Sequence, residues 1–93
     1  MLFVALLNHL PGALDDCVAR RMEKPALEGA KIVAEYWLQS PNPTVIFVLE
    51  ADHISQLWAV FWDWHDLVEI SIYPAVGAQE GFEYLNQMIA ERS

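Results

Sequence analysis

A single cysteine, Cys17, rules out a disulfide within these residues and makes a reducing compartment the simple expectation. Basic side chains are nearly as scarce. Arg20, Arg21, Lys24 and Lys31 cluster together, and positions 32–91 hold no Lys or Arg against nine acidic residues. Binding a nucleic-acid backbone depends on basic groups that release counterions, so no nucleic-acid partner is expected. The field of a chain with formal charge −8 also disfavours anionic membrane surfaces, and it penalises neutral, apolar or cationic ligands least.

Long apolar runs are absent too, and none approaches the ~20 residues that cross a bilayer. The opening Met1-Leu2-Phe3-Val4-Ala5-Leu6-Leu7 resembles a signal-peptide core, but it lacks a basic flank and is broken by Asn8, His9 and Pro11-Gly12. It reads as a buried strand, and a soluble cytoplasmic domain without a membrane partner follows as the expectation. There is no GxGxxG, P-loop, nucleophile elbow or CxxC. His9, His53, His65, Cys17 and the carboxylates show no metal-ligand spacing, so neither a metal nor a cofactor is expected.

What the chain has in excess is apolar surface. The hydrophobic share is 55%, with four Trp, four Phe and three Tyr in 93 residues, above the ~45–50% usual for globular chains. A chain this short makes one domain, here residues 1–93, and part of that surface is expected to meet another subunit.

Residues 2–9 alternate Leu2, Val4 and Leu6 with Phe3, Ala5 and Leu7, the pattern of a strand covered on both faces. A helix over residues 13–24 carries Asp15 and Asp16 at its start and Arg20, Arg21 and Lys24 at its end, with an apolar stripe of Leu14, Cys17, Val18 and Met22. Pro25 and Gly29 bracket a loop before a second strand, 31–39. Ser40-Pro41-Asn42-Pro43 is a turn into a third strand, 44–50, again apolar on both faces. Asp52 is placed to cap a helix over 53–64, whose Ile54, Leu57, Trp58, Phe61 and Trp62 follow helical spacing for one buried face. A fourth strand, 67–76, alternates Val68, Ile70 and Ile72 with Glu69 and Ser71, as at a sheet edge. A last helix, 79–92, has the stripe Phe82, Leu85, Met88 and Ile89.

This order is α+β, the split βαβ or ferredoxin-like arrangement βαββαβ(α), with a four-stranded antiparallel sheet whose central strands are the first and third. Both crossover helices then lie on one sheet face. The central strands are greasy on the other face as well, so a homodimer paired through the sheet face is the economical cover. The last helix is left to cap the edge or the neighbour.

From Pro25 to Val76 the chain resembles an uncharacterised bacterial and archaeal domain-of-unknown-function family of short ferredoxin-like proteins, related in fold to the dimeric α+β barrels. The resemblance rests on Leu27-Glu28-Gly29, on Trp37, and on Phe47-Val48-Leu49-Glu50-Ala51-Asp52. It continues through Trp64-His65-Asp66-Leu67-Val68 and Tyr73-Pro74-Ala75-Val76. It implies a fold and a dimer of the α+β barrel type, but no assigned activity.

The candidate function is a small homodimeric ligand-binding or interaction domain. Its apolar cleft is lined by Tyr36, Trp37, Phe47 and Tyr73, with Glu50 or His65 supplying polarity, and Trp64 borders a further surface. Trp58 and Trp62 read as core. Cys17 reads as a small core residue, and His65-Asp66 reads as a helix end in preference to a base with its orienting acid. His9 and Glu50 are expected at opposite ends of neighbouring strands. Two alternatives stand beside the first reading. One is a cofactor-independent oxygenase or heme-degrading enzyme of the dimeric α+β barrel kind, with Asn8, Trp58 and His65 in loosely similar places. The other is an acidic face that docks a basic protein.

Overall fold

Alternation in the first strand decides the layering. The computed structural model describes residues 1–24, 29–40 and 42–92. Pro25 at the loop, Leu27-Glu28 of the motif and Pro41 of the turn fall outside these residues. The elements run β1 (Leu2–His9), α1 (Leu14–Glu23), β2 (Lys31–Trp37), β3 (Val45–Glu50), α2 (Ile54–Trp62), β4 (Val68–Ala75) and α3 (Ala78–Arg92). The strands form one antiparallel sheet in the order β2-β3-β1-β4, so the two strands with apolar residues on both faces are the central pair. This is the ferredoxin-like split βαβ fold.

Phe3, Ala5 and Leu7 of β1 and Val45, Phe47 and Leu49 of β3 are buried with Cys17 of α1 and with Leu57 and Phe61 of α2. Phe47 and Phe61 meet with ring centroids 5.5 Å apart, a favoured aromatic separation that ties sheet to helix. On the other face Leu2, Val4, Leu6, Ile46 and Val48 are only half-buried. Neither α1 nor α2 covers them.

β1 and β3 pair with Leu2 opposite Glu50 and Leu7 opposite Val45. That register separates His9 from Glu50 by the length of the sheet. Glu50 is exposed at one end, 3.7 Å from Lys31 Nζ. His9 Nδ1 at the other end lies 2.6 Å from Thr44 Oγ1, and the Thr44 N–H donates to Leu7 O at 2.8 Å. The residue leaving the turn is thereby pinned to β1.

Three sequence expectations change. In α1 only Cys17 of the expected stripe is buried, whereas Leu14, Val18 and Met22 are 38–77% exposed. The helix turns its Arg20 and Arg21 side instead, setting one guanidinium 5.8 Å from the Trp64 ring and the other 6.0 Å from Phe47, and long Arg stems cover apolar surface as aliphatic residues do. In α2 the buried line is Leu57 and Phe61, continued by Trp64. Trp58 and Trp62, expected in the core, are 42% and 63% exposed. The start of α2 is capped at His53, one residue beyond Asp52, and Gln56 Oε1 accepts from the Asp52 and His53 N–H groups at 2.9 and 3.2 Å.

α3 forms, but no residue of it is buried, and Phe82, Leu85 and Ile89 are more than half exposed. It caps neither the edge nor the core of its own chain. The radius of gyration, 15.7 Å, exceeds the ~12 Å of a compact chain this long, as a projecting helix requires. No helix among the described residues is long and apolar enough to cross a membrane.

Candidate functional site

The helix-side groups converge at a gap beneath α1. Leu7 of β1, Val45 and Phe47 of β3 and Phe61 of α2 form its floor and back, Cys17 and Arg21 reach down from α1, and Trp64 and Trp37 close two sides. The enclosed space is about 10 Å³, about the least that holds one water. A ring-sized guest enters only if a wall moves.

The most exposed wall is Trp37, 39% exposed. Its indole Nε1 donates to Glu35 Oε2 at 3.0 Å, and Arg21 makes a two-point contact with the same carboxylate, Nε to Oε2 at 3.1 Å and Nη2 to Oε1 at 2.7 Å. Arg21 Nη1 also donates to Lys24 O at 2.6 Å. Burial alone would raise the pKa of Glu35, but the hydrogen bonds from Arg21 and Trp37, with the charge of Arg21, outweigh it and hold the carboxyl below its ordinary value. Glu35 thus stays ionised and fixes both Arg21 and Trp37.

Backbone irregularity puts these residues together. Ile32 pairs with Leu49 and Ala34 with Val48, leaving Val33 as an extra residue in β2. The shift brings Glu35 opposite Phe47 and Trp37 opposite Val45, on the helix side, and leaves Tyr36 opposite Ile46 on the open side. An unbroken strand would have alternated from Ile32 with the opposite result.

A second tie joins α1 to the segment that follows α2. Arg20 Nη1 and Nη2 donate to the two Asp66 carboxylate oxygens at 2.8 and 3.0 Å, and Nη1 also donates to Asp63 O at 2.8 Å. The Arg20 hydrogen bond, with the charge of Arg20, lowers the Asp66 pKa against desolvation. Asp66 is therefore committed to α1 and does not orient His65. Burial pushes the Cys17 thiol up, with Arg20 pulling the other way, so the thiol in the gap is a poor nucleophile at neutral pH.

The seven sequence candidates divide. Trp37, Phe47 and Trp64 line the gap. Tyr36 and Tyr73 flank the open face, opposite Ile46 and Val4, and are 58% and 53% exposed. Glu50 sits at the end of the sheet, and His65 lies outside α2, its ring stacked on Trp62 at 4.5 Å and 15° with Nδ1 2.6 Å from Trp62 O. Asn8, Trp58 and His65 do not meet either, because Asn8 pairs with Glu69 on the open-face alternation, whereas Trp58 of α2 and His65 beyond it are exposed. Asn8 Oδ1 is buried without a hydrogen-bond partner among the described residues. Among those residues no three His, Cys, Asp or Glu side chains gather as a metal site needs.

Sequence reasoning passed over Arg21, Glu35 and Phe61 as site residues. Phe61 was legible as a core position, but nothing in the string marks Val33 as a bulge. Without the bulge, Glu35 reads as a solvent-facing acid.

No curated protein and no solved structure matches the chain. The profile of the domain of unknown function DUF3303 matches residues 1–89, extending the likeness seen over residues 25–76 to nearly the whole chain. The chain, with its split βαβ sheet, belongs to the DUF3303 family.

Proposed function

We propose that the chain is a small-ligand-binding domain, working as a homodimer joined through its open sheet face. The observation that carries the reading is the apolar gap between helices and sheet, closed by an exposed Trp37 that a single ionised carboxylate, Glu35, holds in place. Ligand sites are concave, mostly apolar and fitted with few polar groups, and this one has Arg21 and Glu35 at its mouth. The guest that fits is a flat apolar ring without net negative charge. It displaces the indole and stacks between Phe47, Phe61 and Trp64, while the −8 charge of the chain repels anions.

Titration with indole, naphthalene and a benzyl-substituted quaternary ammonium, read by tryptophan fluorescence and by melting temperature, tests this. A saturable fluorescence change with a rise in melting temperature is expected for at least one compound. No response to any of the three would sink the ligand reading. Dimerisation is read separately, as a doubled mass in light scattering at micromolar concentration.

A further inference from the structure

We infer that α3 is the clasp of the dimer: its apolar face, Phe82, Leu85, Met88 and Ile89, lies against the second copy of the chain beside that copy's open sheet face. The inference rests on the sheet-face pairing proposed above and names the element that completes it. Three observations lead to it.

First, α3 is amphipathic, and its apolar side is exposed. On a helix with 3.6 residues per turn, Ala78, Phe82, Leu85 and Ile89 share one side while Glu80, Glu83, Gln87 and Glu91 share the other. Phe82, Leu85 and Ile89 are 65%, 52% and 63% exposed, and no residue of the helix is buried.

Second, the link to its own chain is short. Only Val76 and Gly77 separate β4 from α3, and the first turn is closed by the Gly81 N–H donating to Gly77 O at 2.9 Å. Val76 lies 3.5 Å from where a side chain at Gly81 would begin. The exit from the edge strand is therefore short, and no residue of the helix is buried against its own chain.

Third, the areas match a second copy. Four strands about 4.8 Å apart and roughly eight residues long present a face of roughly 500 Å², short of the ~800 Å² per partner of a standard stable interface. A 15-residue helix is about 22 Å long and about 10 Å across. Each copy would lose its own α3 face and the surface beneath its partner's, roughly 400 Å² more, which carries the total past that threshold. A membrane surface fits worse. Helices that lie in lipid interfaces carry Lys and Arg on their polar side, whereas this one carries Glu80, Glu83 and Glu91 with Arg92 as its single basic group.

The test uses the full chain with Phe82→Glu and Leu85→Glu together, and Glu83→Gln on the opposite side as control. Because α3 is not part of the core, both proteins are expected to keep the wild-type circular dichroism. In sedimentation equilibrium the wild type is expected to be dimeric, the control unchanged, and the double variant weakened ~100-fold or more in dimer affinity. A dimer equally tight in the double variant would overturn the clasp and leave the sheet-face pairing standing. A monomeric wild type would overturn both, and pelleting of that monomer with phosphatidylcholine vesicles, lost in the double variant, would assign the helix to lipid.

Discussion

At Glu35 one carboxylate holds a cation and an indole, so its ionisation is a stability term. Its pKa is depressed in the folded chain, so the stabilisation is fully present above the ordinary glutamate value of about 4.3 and is lost as pH falls through the lower folded value. Glu35→Gln is expected to be less stable than wild type at neutral pH, with the difference shrinking below about pH 4. Urea denaturation at several pH values measures this, and a difference that stays constant from neutral pH to about pH 3 would rule it out. Buried and exposed aromatics separate as sharply. Phe61, 1% exposed, is expected to cost about 3–5 kcal/mol on truncation to Ala. Trp62→Ala is expected within about 0.5 kcal/mol of wild type, because Trp62 is 63% exposed and loses mainly its stack on His65. Equal losses in the two variants would contradict the assignment of the core face of α2.

At the scale of elements, what the string made legible was periodicity and what it hid was phase. Strand alternation in β1 and β3, the central place of that pair and the edge character of β4 follow from residues 2–9, 44–50 and 67–76, and the structure keeps them. The direction of a helix face is harder. In α2 large apolar residues lie on two adjacent lines, Leu57 with Phe61 and Trp58 with Trp62, and a 100° rotation chooses between them. Only packing against the sheet decides, because Phe61 meets Phe47. In α1 the inward groups are an ion-paired Arg20 and Arg21, which no hydropathy stripe would select. The start of α2 gives a local test. Gln56 Oε1 accepts from two backbone N–H groups there, so Gln56→Ala is expected to lose about 1 kcal/mol, the cost of a helix cap. A melting temperature equal to wild type would mean that water replaces the side chain without penalty.

For the whole molecule, the proposed pairing through the open sheet face and α3 makes the response to protein concentration its test. Association that stabilises the folded chain makes the melting temperature rise with protein concentration. A rise is expected here across a hundredfold dilution series, larger for wild type than for Phe82→Glu with Leu85→Glu. A concentration-independent value would point to a lone protomer. Acidic groups sit clear of the central patch of that face, since Glu50 and Glu69 lie toward opposite ends of the sheet. Two chains of charge −8 can then meet without placing carboxylates on carboxylates, and added salt is expected to tighten the pair by screening what repulsion remains.

The extra residue at Val33 works as a selector between the two sides of the molecule. Were every residue of β2 to pair in strict alternation from Ile32, with Val33 opposite Val48, Tyr36 would turn under the helices and Glu35 and Trp37 would emerge on the open face. Excising Val33 does the reverse: Ile32 stays opposite Leu49 and Ala34 opposite Val48, so every later side chain keeps its side. The meeting of Glu35 with Arg21 and Trp37 thus hangs on position 33 being stepped over by the pairing, and not on the side chain it carries.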